Sequence, residues 1–306
     1  MDATVDDALV KHPLEAIGSS VSWFVSQLTA RGIRLHDHSA LAIALERLGI
    51  FRDAAIADHP FKFSVVDDAY EFFSDAMGAD FLTKTVHRGV RAGLVLPDER
   101  WRHFAAGDPI ITRPSKTISR ERDLTWEVVL ASVIATFASN VRFAEPDVLC
   151  DFSGRAFAVA AKQVRSDRRL WTNVERGVRQ SRGRATAALV FVNVVNLLPV
   201  VHLMRAARDE GFAAPTDLRD WMLRGAHRWC DRRETRNLAE SLGGTETDPV
   251  GVAFFMPVML LFGMQPLPFF YTHMPMRWQT AGGPDFEFAT SFLRASNHVL
   301  GFSPAV

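Results

Sequence analysis

The sequence predicts an α/β protein in which a helical N-terminal region precedes a mixed central sheet flanked by helices. Two observations predict it. Through the first third of the chain, apolar residues recur at helical spacing. From Asp123 onward, helical patterns alternate with short runs rich in β-branched and aromatic residues, the pattern of a layered α/β architecture.

Leu14–Ala30 carries Ile17, Val21, Phe24, Val25 and Leu28 on helical spacing and stops before Gly32. Ser39 can cap a second helix through Leu48, with Gly49 as its stop. Asp67–Met77 and Phe81–Ala92 read as two further helices, the second closed by Gly93. The polar, Pro-containing stretch Gly107–Arg122, with Arg113, Lys116, Arg120 and Arg122, reads as a linker. It divides a helical region, 1–106, from an α/β domain, 123–306.

Within that domain Leu124–Ala138 is an apolar helix. Val148–Phe152 and Ala156–Val164 are strands around the turn Ser153-Gly154. An amphipathic helix at Leu170–Ser181 precedes a strand at Leu189–Leu197. Helices at Asp217–Arg232 and Glu234–Ser241, strands at Val252–Leu261 and Phe269–Met276, and a last helix at Asp285–Ala295 complete the pattern.

Composition narrows the function classes. The 306 residues balance 35 Lys and Arg against 35 Asp and Glu, which argues against a generally basic nucleic-acid coat and leaves charge to be read regionally. Cys150 and Cys230, the only cysteines, lack metal-ligand spacing and suit a reducing compartment. The acidic start, Asp2, Asp6 and Asp7, lacks the layout of a signal peptide. The apolar stretches Leu189–Met204 and Val250–Phe270 are interrupted by Asn193, Asn196 and Pro199, and by Pro257, Gly263 and Pro266. Both read as buried strands rather than membrane spans. The expectation is a cytoplasmic protein without membrane association.

The most informative segment runs from Glu145 to Lys162. With Ser153-Gly154 as a two-residue hairpin turn, Phe152 faces Arg155, Asp147 faces Ala160 and Glu145 faces Lys162. Side chains alternate along a strand, so these four inner positions share one face, with opposed Cβ atoms about 5 Å apart. Two carboxylates beside an ammonium suit metal-assisted phosphodiester hydrolysis. Carboxylates hold the cation, which activates water and neutralises phosphate charge, while a lysine supports the transition state.

Pro146-Asp147, a hairpin, and a strand ending in x-x-Lys162 resemble the PD-(D/E)XK nuclease superfamily. The helix carrying Gln180, the following strand, and Glu127 in the preceding helix agree with that resemblance, which covers roughly residues 123–200. It implies a restriction-endonuclease-like core and a DNA-cleaving hydrolase using Mg²⁺ or Mn²⁺. By the same resemblance Asp147 is the metal-binding aspartate and Lys162 the catalytic lysine. Glu127 is implied as an auxiliary ligand and Gln180 as a site residue, and nucleases of this kind often work as homodimers. The departure is Ala160, which stands where the family has its second acid; a methyl group binds no metal. The acid was removed deliberately, was lost in the lineage, or has been replaced by another carboxylate, with Glu145, Glu127 and the more distant Glu175 as candidates. A catalytically inactive module that binds nucleic acid or a protein partner is the alternative function.

Each residue also has a plainer reading. Glu127, the only charge in Leu124–Ala138, needs a partner if buried, or stands in an exposed first turn. Asp147 and Lys162 can form an ordinary cross-strand ion pair. Arg165, Arg168, Arg169, Arg176, Arg179 and Arg182 form a basic segment suited to phosphate backbones, or a solvated helix face. Trp171 is expected to pack rather than stack on a base. His36 and His38 read as loop surface, not a metal site.

Overall fold

The computed structural model describes residues 14–57, 62–63, 65–115, 120–181, 183–198, 200–241, 250–262, 265–273 and 284–300. Helices α1 (Leu14–Ala30), α2 (Ala40–Ile56), α3 (Val66–Arg91), α4 (Asp98–Ala106) and α5 (Arg120–Ala135) come first. Then follow β1 (Ser139–Ala144), β2 (Asp147–Phe152), β3 (Arg155–Gln163), α6 (Asp167–Ser181) and β4 (Ala187–Asn193). A 3-10 turn at Val195–Leu197 leads to α7 (Val200–Glu210), α8 (Pro215–Ser241), β5 (Val250–Phe262), β6 (Gln265–His273) and α9 (Pro284–Leu300). Among the described residues the six strands form one mixed sheet in sequence order. Antiparallel pairs lie at both ends, and β3, β4 and β5 run parallel at its centre. Among the described residues no helix is long and apolar enough to cross a membrane.

Each face of the sheet buries its own apolar cluster. Along β3, Phe157, Val159 and Ala161 enter the cluster that holds Phe24, Leu28, Trp101, Trp126 and Phe292. Ala158 and Ala160 enter the other, with Leu170, Val174, Val178, Leu218 and Met222. All of β4 is buried, which explains why its sequence is a continuous apolar run rather than an alternation. Trp126 fixes α5 on the sheet: its indole N–H donates to the Phe191 carbonyl at 3.3 Å and its ring stacks on Phe255.

Several expected boundaries move, each for a local reason. α2 runs through Gly49 to Ile56, with Ser39 capping it by accepting the Ala42 N–H. The two helices expected across 67–92 are one, because its glycines are packing residues rather than stops. At Gly89 a Cβ would lie 2.5 Å from the Ser132 Cα of α5, and at Gly78 it would collide with Ile110. The Leu189–Leu197 strand ends at Asn193, whose side chain accepts the Val195 N–H at 3.0 Å and draws the chain into the 3-10 turn. Beyond it the chain is helical, not extended, over Val200–Glu210, and the helices expected at 217–232 and 234–241 are one. β1 and α4 have no counterpart in the sequence reading. Lys116 lies outside the described residues.

Over its described residues, 107–115 and 120–122, the stretch from Gly107 to Arg122 is a strap rather than a loose connection. Its ends and middle are tied to α3, α5 and the sheet. Arg122 itself lies in the first turn of α5 and is buried, donating to Asp108 Oδ2 at 2.8 Å and to the Arg113 carbonyl at 2.6 Å. Arg113 pairs with the buried Asp75 of α3 at 2.5 Å, and Asp75 also takes Arg47 at 2.7 Å. Asn193 donates to the Ile111 carbonyl, and Asn196 accepts the Ser115 N–H. Residues from 1–106 and 123–306 therefore share one core, with Phe24 and Trp101 beside Trp126 and Phe255.

The close crossing of α3 and α5 makes a checkable contrast. Gly89→Ala is expected to destabilise the protein by about 1–3 kcal/mol in urea unfolding, because helix backbones must separate. Gly225→Ala, on α8 with no described atom within 4 Å of a new Cβ, is expected to be neutral or to stabilise by roughly 0.5–1 kcal/mol.

Candidate functional site

The site is built on the β2–β3 hairpin. Ser153 and Gly154 both have positive φ, 49° and 76°, the backbone of a two-residue turn whose twist matches its strands. The turn sets the expected register: Phe152 opposite Arg155, Cys150 opposite Phe157, Val148 opposite Val159. There the backbone ladder ends and the Asp147 carboxylate takes over. Its Oδ2 accepts the Ala161 N–H at 2.7 Å and the Lys162 ammonium at 2.8 Å. The aspartate and lysine that the sequence placed on one face are in direct contact, with side chains only 16% and 12% exposed. Burial pushes the Asp147 carboxyl above its ordinary range, against the pull of Lys162 and the Ala161 amide.

Glu127 belongs to the same electrostatic cluster. It is not in an exposed first turn but largely buried in the body of α5, and its Oε2 accepts Arg100 Nη1 at 2.6 Å. Burial raises its carboxyl to about 7, with Asp147 adding to the rise and Arg100 and Lys162 opposing it. Arg100 comes from α4 and also lies 4.8 Å from the ring centre of Phe143 on β1. Sequence reasoning missed this cation because it missed both elements; the acidic pair Asp98-Glu99 after Pro97 is the start signal that could have found α4. Asp123, on the turn of α5 before Glu127, chelates Arg165 with both oxygens at 3.1 Å. Three carboxylates thus meet three cations, each already paired.

Two expected members stand elsewhere. β2 begins at Asp147, so Glu145 does not extend it to face Lys162. Ala144 pairs with Asp147 across a Glu145-Pro146 turn, and Glu145 reaches Arg184 instead, at 2.9 Å. Ala160 is fully buried under α6: a Cβ on Gly177 would lie 3.5 Å from the Ala160 methyl and 2.6 Å from Val190. The small residue at 160 allows the helix to close on the sheet.

The remaining residues divide cleanly. Arg165 is engaged by Asp123, whereas Arg168, Arg169, Arg176 and Arg179 stand exposed on α6 without an ion pair among the described residues. Gln180 lines a groove with Glu145, Arg176, Arg179 and Arg184, and its Oε1 has no hydrogen-bond partner among the described residues. Arg182 lies outside the described residues. Trp171 packs edge-on against Phe254, and His36 and His38 are exposed, as expected.

These side chains do not fit a divalent cation as they stand. Asp147 Oδ2 already takes two donors, Glu127 is held by Arg100, and position 160 offers a methyl. Among the described residues no three His, Cys, Asp or Glu side chains are grouped to hold a metal. Comparison of the chain with protein-family models, curated proteins and solved structures gives no match.

Glu127 makes the site pH-sensitive in a defined direction. Its carboxyl is raised on folding from 4.5 to about 7, so the folded protein holds a proton that the unfolded chain releases. The folded state is favoured below about 4.5 and loses that contribution, on the order of 3 kcal/mol, as pH rises to about 7. Glu127→Gln is therefore expected to gain stability relative to the native protein as pH increases across this window. Urea unfolding of both proteins at several pH values checks it; a difference independent of pH would contradict the buried carboxyl.

Proposed function

We propose that this chain is a nucleic-acid-binding module on a restriction-endonuclease-like core, and that it holds DNA backbones without cleaving them. The observation that carries the reading is the closed Asp147–Lys162 pair beside the buried methyl of Ala160. Hydrolysis by two carboxylates and a metal needs free oxygen ligands and a lysine available to the reacting phosphate. Here the lysine is spent on the aspartate, and a second acid has no room beneath α6. The order of α5, the β2–β3 hairpin, α6 and the parallel β4 supports a nuclease-like origin.

Binding rests on α6. Its inner face is apolar, so Arg168, Arg169, Arg176 and Arg179 project outward and give a protein of zero net charge a local cationic face. Each phosphate contact releases condensed counterions, which makes the interaction steeply salt-dependent.

A second reading has its own observation. Glu127 shares an electrostatic cluster with Asp147 and Lys162, so it is the carboxylate placed to replace the missing acid of a Mg²⁺-dependent nuclease.

Anisotropy titrations of labelled DNA between about 50 and 200 mM salt separate these readings. Four arginine contacts predict a log–log slope of about −3 to −4, with no effect of chelator and no cleavage in Mg²⁺ or Mn²⁺. No binding at low salt would sink the proposal. Divalent-dependent cleavage that vanishes in both Asp147→Asn and Lys162→Ala would replace it with the nuclease reading. Ala160→Glu is expected to lose stability by several kcal/mol rather than gain cleavage, since its carboxylate would be buried against Val190 and α6.

A further inference from the structure

Beside the β1–β2 turn lies an open groove of about 460 Å³, lined by Glu145, Arg176, Arg179, Gln180, Gly183 and Arg184. Three guanidinium groups from the end of α6 and the turn after it face one carboxylate from the opposite wall. That carboxylate holds Arg184 through a single contact at 2.9 Å, and both side chains are half exposed, at 56% for Glu145 and 50% for Arg184. The pair differs in kind from Asp147–Lys162, where a nearly buried carboxylate takes two donors. Water and salt screen an exposed single-contact pair, so a stronger anion can displace it.

The geometry points to a phosphate subsite in this groove, with Glu145 acting as an internal competitor that occupies Arg184 until a backbone phosphate displaces it. A phosphodiester oxygen presents the same acceptor to a guanidinium as the Glu145 carboxylate does. Once the carboxylate swings out, Arg176, Arg179 and Arg184 together face the phosphate. Glu145 stands two residues before Asp147, so the subsite borders the hairpin site and would fix the register of a bound strand against it. Competition of this kind weakens binding and steepens selection for densely charged partners. The inference rests on the DNA-binding reading above and adds the residue that limits affinity.

The test is anisotropy titration of a labelled DNA oligonucleotide with native protein, Glu145→Gln, Arg184→Gln and the double variant. Glu145→Gln is expected to tighten binding at low salt by about 3-fold or more and to steepen the salt slope by about 1, as one more cation becomes free for phosphate. Arg184→Gln is expected to weaken binding and to abolish the gain from Glu145→Gln in the double variant. Thermal unfolding of Glu145→Gln should match the native protein, which excludes refolding of the turn as the cause. Native binding with no gain in Glu145→Gln, or a gain that persists without Arg184, overturns this inference alone. Absence of binding by native protein and Glu145→Gln alike overturns it together with the DNA-binding reading.

Discussion

Arg122 is the cation on which the joint between helices and sheet depends. Its side chain is 1% exposed, so its charge has almost no water to solvate it and must be met by protein oxygen. Asp108 and the Arg113 carbonyl meet it. Burial still holds its guanidinium below the ordinary range, with Asp108 opposing that shift. Satisfying this charge requires the strap to pass across the start of α5 in one path, which in turn delivers Arg113 to Asp75 and the Ile111 carbonyl to Asn193. A fully buried charge tolerates few arrangements, so the network selects one packing of the first four helices against the sheet. The position of α4 follows, and with it Arg100, the partner of Glu127.

The candidate site repeats that logic at lower stakes. Asp147, Glu127 and Asp123 are shielded carboxylates, and each is met by a cation from a different element: β3, α4, and the segment after β3. The site is consequently self-neutralised. Such a cluster stabilises nothing unless its geometry holds, but it specifies how α4, α5 and the hairpin sit together. The proximity of Gly177 to Ala160 holds α6 close on β3, on the face that carries Ala158 and Ala160, and parting them would expose apolar surface.

Legibility in the sequence followed the range of the interaction. The α/β class, the hairpin register and the Asp147–Lys162 contact depend on neighbours in sequence: alternation along strands and a turn that demands positive φ at two residues. These could be read. What could not be read depends on distant partners. Gly78 looks like a helix stop until Ile110 is known to press on it. Arg122 looks like a polar linker residue until Asp108 and Arg113 surround it. β1 is short and half exposed, with a shift of register between Ser139 and Arg142. It gives almost no alternation, and without it the Glu145-Pro146 turn passes for the start of β2. The error in placing Glu145 came directly from that missing strand.

The distribution of arginine shows how a chain of zero net charge can still present a directed cationic surface. On α6, Leu170, Val174, Gly177, Val178 and Ser181 must face the sheet, because β3 and β4 beneath them are apolar. A helix has only one such face, so every long charged side chain is driven to the other. Four arginines on that outer face meet few carboxylates of their own helix, only Asp167 and Glu175. Several carboxylates elsewhere are matched by cations of their own: Asp75 by Arg47 and Arg113, Asp108 by Arg122, Asp147 by Lys162, Glu127 by Arg100, Asp67 by Arg205. Such pairs are locally neutral and add little to either sign of the surface field, so the cationic character of α6 comes from its own excess of arginine over Asp167 and Glu175. The same core packing that requires a small residue at Ala160 turns the arginines of α6 outward, so the buried methyl and the basic face have one structural cause.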